Sequence, residues 1–513
     1  LGDLDERFWH KLILVSLKEA MSTKRSKVPK APRAGATYKK RKTSDRDTRY
    51  DWSSRSATPR IPSDEEVIPT ALPRKFGTPL EFMEFLLSPL SYKEFSEKYW
   101  EREPFVAHDR AGMGAFWPQL FSKDAFFSIA KETKLCFGKD VSACKYEDGK
   151  RTDYAEGYSA KSAKLNKYFE ERKATLQVHQ PQRWKDSLWE VLELMECFFG
   201  CLVGCNAYIT PAGSQGLAPH HDDVEVFIVQ LEGEKCWKLH KPVTELARIY
   251  SKDFTSEEIG EPTHEFTLRP GDFLYMPRGT IHHAYVPESA DSHSTHITIS
   301  TYQKQTVGDC LMDIVPDLIS SAMDSCIELR KGLPNKFLPS CALPKETVVT
   351  ALSSVLEHVK QMSDEMPSPE EMVRDFMFSR LPPFGFDRRN TSMRPYGDVP
   401  HLNDRVKLAY PDHCTYLTEY SDEDEEDNAL VVTSIFNKRE EHMMSSSDAQ
   451  HEEEPAIIKL PINLLDGVKQ LCESEDFVSV QALKAPCDED RLFLALALWT
   501  RHLLKVQYGT EPE

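Results

Sequence analysis

Pro219-His-His-Asp-Asp-Val-Glu-Val-Phe-Ile-Val-Gln-Leu-Glu-Gly-Glu-Lys235 is the stretch on which the reading of this chain turns. Val224 to Gln230 is rich in β-branched residues and alternates in part, which predicts a strand. Glu232-Gly-Glu-Lys predicts a turn, and Cys236-Trp-Lys-Leu-His resumes a strand. Two histidines and an aspartate stand just before the first strand. On extended backbone, residues two apart share a face, so His220 and Asp222 point one way and His221 the other. A third ligand comes from Gly271-Asp-Phe-Leu-Tyr-Met-Pro-Arg-Gly-Thr-Ile-His282, at the far end of another turn and strand. Two histidines and a carboxylate on one face of a metal form the facial triad of non-haem Fe(II) oxygenases. Three positions stay open: two for the keto oxygen and carboxylate of a 2-oxo acid, one for O2.

A His-x-Asp triplet alone is weak, because capped turns with an exposed histidine are common. The second half, in the order Gly-Asp…Pro…His, strengthens it. Asp223 and His283 compete by position, and for both a supporting or surface role is expected. A 2-oxo diacid also needs a cation for its distal carboxylate. Lys235 begins a strand of buried type beside Cys236 and Trp237, a setting that asks for a carboxylate partner. The plainer reading, an ordinary turn lysine, stays open on composition.

Outward from this stretch, strand character begins near Ala174 and recurs in Asn206-Ala-Tyr-Ile-Thr-Pro, Phe266-Thr-Leu, Phe273-Leu-Tyr-Met-Pro and His296-Ile-Thr-Ile-Ser. Short strands joined by Gly/Pro turns predict a double-sheet barrel of the jelly-roll type. Upstream, Thr78-Pro79 and Ser91 open two helices carrying Phe82, Phe85 and Leu86, then Phe95 and Tyr99. Downstream of Tyr302 the pattern is helical. Leu311, Ile314, Val315, Leu318 and Ile319 form one stripe, and Val348, Leu352, Val355, Leu356 and Val359 another. Ser368-Pro-Glu is expected to cap a third helix. Exposed stripes of this kind often pair with a partner helix or a second subunit. From Arg380 there are Pro-rich links, short strands, two acidic loops (422–427 and 452–454) and two late helices, expected at 464–472 and 488–504.

With 513 residues the chain exceeds one core. No apolar run approaches the roughly 18 to 20 residues of a membrane helix, and no secretory signal is read at the start; Met21 is a candidate initiator and residues 1–20 have no recognised counterpart. The net charge of -18 is uneven: 21–49 holds eleven basic and two acidic residues, a net +9, leaving -27 on the remainder. The basic arm can bind nucleic acid or serve as a nuclear or nucleolar address, or simply be a solvated tail; the acidic body is not expected to grip a phosphate backbone. Twelve cysteines without CxxC pairs predict a reducing compartment. Cys197, Cys201 and Cys205 read as core positions, with no zinc site expected for want of a nearby histidine or acid.

Tyr208 to Lys235, Arg269-Pro-Gly-Asp…Met-Pro-Arg-Gly-Thr-Ile-His282, His296 to Gln303, Ala174-Thr-Leu-Gln-Val-His-Gln-Pro-Gln-Arg-Trp and the Arg380-Leu-Pro-Pro junction together resemble the JmjC ribosomal oxygenases, and among them the MINA type. The resemblance runs from about Thr78 to the C-terminus and is looser in the last part. It implies an α+β multidomain chain: a basic arm (1–75, read as disordered from its composition), a JmjC double-stranded β-helix barrel of the jelly-roll or cupin kind (76–303), a helical dimerisation domain (304–379) and a C-terminal winged-helix domain (380–513). It implies Fe(II), 2-oxoglutarate and O2, with His220, Asp222 and His282 as iron ligands and Lys235 as carboxylate anchor. Asn206 and Thr298 would line the co-substrate pocket, and Tyr208 and Ser300 would hydrogen-bond a substrate imidazole. His221 departs from the tyrosine of relatives at a position that is not a ligand. The implied activity is hydroxylation of a histidine in a large-subunit ribosomal protein, in ribosome biogenesis, by a nuclear or nucleolar homodimer. Histone H3 lysine-9 demethylation, regulating rRNA transcription, and a non-enzymatic ribosome-assembly scaffold are the competing readings. The triad and Lys235 argue against the scaffold.

Overall fold

The strand signals of the central region are realised as two antiparallel sheets that face each other. In this computed structural model the described residues are 71–155, 157–340, 343–362, 366–386, 395, 397–419, 427–443 and 457–508. The basic arm up to residue 70 and most of the two acidic loops lie outside them.

Twelve strands build the central region: β1 (Phe105–Ala107), β2 (Val141–Glu147), β3 (Lys150–Asp153), β4 (Thr175–His179), β5 (Val203–Thr210), β6 (Ser214–Gln215), β7 (Glu225–Glu232), β8 (Lys235–His240), β9 (His264–Leu268), β10 (Phe273–Met276), β11 (Ile281–Val286) and β12 (Ser294–Thr301). An eight-stranded sheet runs β1-β10-β7-β12-β5-β4-β2-β3, and a four-stranded sheet runs β6-β11-β8-β9. This is the expected double-sheet barrel. β1 and β3 were not legible, being short and, in β3, largely exposed; β2, Val-Ser-Ala-Cys-Lys-Tyr-Glu, was missed because its apolar positions alternate only in part.

β7 is buried along seven of its eight residues, which accounts for its near-continuous apolar run. Phe227, Val229 and Leu231 face a core shared with the helices, and Val226 and Ile228 face the barrel interior with Trp237, Leu239, Leu274 and Met276. The N-terminal helices form as the sequence predicts. The Thr78 hydroxyl accepts from the Glu81 amide ahead of helix Pro79–Leu87, and Ser91 and Glu94 close a capping box on helix Tyr92–Lys98. The packed chain starts earlier than the boundary read at 75. Leu72 is buried, and the amides of Ala71 and Leu72 donate to the Glu190 carboxylate at 2.7 and 3.1 Å.

Beyond the barrel, helices Val307–Ser325 and Lys345–Gln361 pack around Ile314, Leu318, Ala322 and Val355, and helix Glu370–Ser379 buries Met377 against Leu417, Leu430 and Val432 of the C-terminal region. The cap expected from Ser368 is not made: Pro369 occupies the N-cap position without a side-chain bond. The C-terminal region holds two three-stranded antiparallel sheets and helices Leu465–Glu473 and Asp488–Trp499. The last helix does not reach Leu504 as expected. His502 adopts a left-handed φ of 62°, and Leu504–Gln507 becomes a strand paired with Arg405–Leu408. No helix among the described residues is long and apolar enough to cross a membrane.

Candidate metal centre

Two residues brought into register across the barrel begin the site. His220 and His282 form an isolated antiparallel bridge: each backbone amide donates to the other's carbonyl, at 3.1 and 2.8 Å. Their ring centroids stand 4.5 Å apart. Each Nδ1 lies against a carbonyl two residues back, His220 on Ala218 at 2.8 Å and His282 on Thr280 at 3.0 Å. A carbonyl only accepts, so Nδ1 holds the proton and Nε2 keeps its lone pair. The two Nε2 atoms face the carboxylate of Asp222, 3.9 Å from Oδ1 and 3.7 Å from Oδ2. One ligand atom from each of the three residues lies within 4.8 Å of the others. Burial, then His220, pushes His282 down to about 4, so its ring is neutral at pH 7. Two imidazoles with convergent Nε2 atoms and one carboxylate suit a divalent first-row metal.

The surrounding backbone holds this arrangement. The Gly279 amide donates to the Asp222 carbonyl at 3.0 Å. Gly279 is left-handed (φ 89°), and a Cβ there would meet the Thr244 carbonyl oxygen at 2.4 Å, so the turn before His282 takes glycine only. Next to it, the Arg278 guanidinium bridges Glu101 at 2.6 Å and Glu225 at 2.7 Å. The Ser251 amide and hydroxyl pair with the His221 carbonyl and amide, and the Tyr250 ring lies 5.5 Å from that of His220. The segment after β8 therefore lies along the metal-ligand stretch.

A cavity continues inward from the three ligands. Lys235 stands at its inner end, buried, its ammonium donating to Thr210 Oγ1 at 3.1 Å and lying near the rings of Tyr208 and Trp237. Among the described residues no carboxylate pairs with it. Burial pushes its pKa down to about 7. The plainer reading of Lys235 as a surface turn lysine is thus corrected: strand alternation turns it inward with Trp237. His283 also lines the cavity, and Asp223 lies within 3.4 Å of Gln303 Nε2.

Of the remaining predicted residues, Tyr208 and Thr298 line the cavity, while Asn206 and Ser300 stand outside its wall. The Tyr208 hydroxyl accepts from Gln177 Nε2 at 3.0 Å, and Asn206 Oδ1 lies 3.3 Å from His179 Nδ1. Sequence reasoning missed Thr175, Thr210, Trp237 and His296. A signal existed for three of them: 210 continues the two-residue period of 206 and 208, 237 that of 235, and 296 that of 298 and 300.

A second group of potential ligands, Glu193, Cys197 and His413, joins helix Asp186–Phe199 to the C-terminal region. This corrects the expectation of no acid or histidine near Cys197. His413 lies 2.8 Å from Glu193, and Arg380 Nη2 lies 3.1 Å from the sulfur. The guanidinium already supplies positive charge to this knot, and burial pushes the thiol well up.

The JmjC domain model matches residues 177–305. Ribosomal oxygenase 2 of Rattus norvegicus is 39% identical over 451 residues, 86% of this chain and 95% of its own. The Bos taurus protein of that name is 38% identical over 466 residues, 89% and 98%. Ribosomal oxygenase 1 of Homo sapiens is 32% identical over 441 residues, 82% and 66%. Among solved structures, YcfD of Escherichia coli aligns at a TM-score of 0.43 with 15% identity, covering 82% of this chain and 98% of that one. At 39% identity across nearly the whole of its rat relative, and with the JmjC match lying over the barrel, the chain belongs to the JmjC ribosomal oxygenase family.

Proposed function

We propose that the protein is an Fe(II)- and 2-oxoglutarate-dependent hydroxylase of a histidine in a large-subunit ribosomal protein. One observation carries the reading: a single cavity has two histidines and a carboxylate at one end and, at the other, a buried lysine with no carboxylate partner among the described residues. Such a cation asks for an anionic ligand, and a diacid reaching from Lys235 to a metal meets both ends. His220, Asp222 and His282 would hold Fe(II). With 2-oxoglutarate and O2, the bound metal supplies oxidising chemistry that inserts oxygen into a C–H bond and releases succinate and CO2.

This chain's own residues bind and orient. Lys235 and Thr210 hold the distal carboxylate, and Thr298 lines the path between. Trp237 closes the wall and keeps water out. Tyr208 and Ser300 would hydrogen-bond a substrate imidazole, and Asn206 would support the co-substrate from beside the cavity wall. Helices Val307–Ser325 and Lys345–Gln361 leave Met312, Leu352 and Leu356 exposed, which supports a homodimer. A helix pair beside small antiparallel sheets supports the winged-helix reading of the C-terminal region. The basic arm supports a nuclear or nucleolar location.

The test is mass spectrometry of peptides incubated with protein, Fe(II), ascorbate and 2-oxoglutarate. A histidine-bearing ribosomal peptide should gain one oxygen. Loss of methyl groups from a trimethylated histone H3 lysine-9 peptide, with no oxygen gained on histidine, would replace the reading by demethylation.

A further inference from the structure

His296 sits inside the cavity and has no assigned task. It is 2% exposed, and its Nδ1 has no hydrogen-bond partner among the described residues. Its ring is clamped, stacked on Tyr208 at 4.9 Å with 6° between planes and edge-on to Trp237 at 5.4 Å. Those are the two rings over which the Lys235 ammonium lies, at 5.8 and 5.9 Å. On β12 it is two residues from Thr298, so both side chains face the barrel interior, and it lines the same cavity as Lys235.

A buried imidazole with an unpartnered nitrogen is costly, and native cores seldom leave one. Phenylalanine would fill the same stack without that cost. What the histidine adds is a ring N–H, held rigid beside a cation that is itself short of an anion. Burial, with Lys235 next, pushes the ring pKa well down, so it stays neutral. A neutral N–H donates to a carboxylate without adding another buried charge.

We propose that His296 is a positioning residue for the 2-oxo diacid, its ring N–H donating to the distal carboxylate that Lys235 pairs with. This rests on the reading of the cavity as a 2-oxoglutarate site. It adds a selection rule: the inner end of the cavity distinguishes oxo acids by their second carboxylate, through a cation and a neutral donor together.

The experiment is an anaerobic titration of the Fe(II)-loaded full chain, followed by the charge-transfer absorption that a 2-oxo acid develops on Fe(II). Wild type, His296→Phe and His296→Gln are each titrated with 2-oxoglutarate and with pyruvate, which has the same keto-acid head and no second carboxylate. Fe(II) affinity and melting temperature are measured alongside. His296→Phe should bind 2-oxoglutarate roughly tenfold or more weakly, with pyruvate and Fe(II) affinity unchanged, and His296→Gln should recover part of the loss. Equal weakening toward both acids would make His296 a wall support, and no weakening toward either would make it a spacer; each overturns the proposal. Absence of the absorption in wild type with either acid would instead sink the co-substrate reading beneath it.

Discussion

Lys235 is caught between two demands: folding would have its ammonium neutral, and an acidic ligand would have it charged. An unfolded lysine titrates near about 10.4, and the folded one is pushed down to about 7. Between those values the unfolded chain binds a proton that the folded chain does not. The ligand-free protein should therefore gain stability from this residue as pH rises through the window, and bear the full cost of a buried charge below it. Binding of 2-oxoglutarate restores the charge. Calorimetry in buffers of different ionisation enthalpy should show uptake approaching one proton at pH 8 and none at pH 6; uptake that is flat with pH contradicts this. Lys235→Met should raise the melting temperature of the ligand-free protein while weakening 2-oxoglutarate by roughly 30-fold or more. His220→Ala should cut turnover at least about a thousandfold and leave the circular dichroism spectrum intact. The common side of His220 and Asp222 was legible because two-residue spacing on extended backbone separates His220 from His221 without a structure. The face of Thr210 was legible from the period of 206 and 208, but its task was not, because that depends on Lys235 of β8 reaching β5 across the closed barrel, a contact no local pattern encodes.

Helix Asp186–Phe199 does more than its apolar face suggests. Leu188, Val191, Leu192 and Met195 fill the core, while two carboxylates reach toward the C-terminal region. Glu196 is fully buried and accepts from the amides of Val203 and Leu381, and His442 Nε2 lies 2.9 Å from it. Glu193 pairs with His413, whose Nδ1 lies 2.7 Å from the Ser434 hydroxyl. Glu196→Ala strands two amides and a histidine at once. It should cost about 3–5 kcal/mol in denaturant unfolding; a loss under 1 kcal/mol would mean water replaces the carboxylate freely. The helix has an apolar spacing that could have been read, but its partners could not, since His413 and His442 lie more than 200 residues away. The same limit explains Leu504. An apolar run from Leu492 reads as continuous helix until a left-handed His502 and the strand at Arg405 claim its end.

Across the whole molecule, the apolar stripes read downstream of Tyr302 are only half used. Ile314, Leu318 and Val355 are buried, whereas Leu311, Leu352 and Leu356 are about half exposed. A paired charge change, Leu352→Glu with Leu356→Glu, should convert a dimer to a monomer in light scattering at micromolar concentration. A wild-type monomer would remove the homodimer reading. Barrel class and metal face were legible because short strands and turn residues are local signals; how the last region docks was not, because it rests on charges paired across modules. The reciprocal backbone bridge between His220 and His282 has a further consequence. These two ligands are joined by main-chain bonds that belong to the barrel itself, so their spacing is set when the sheets close, before any ion arrives. Metal capture then requires little reordering, and an emptied protein keeps its shape and reloads without refolding. The amide protons of His220 and His282 should exchange as slowly after chelation as before it.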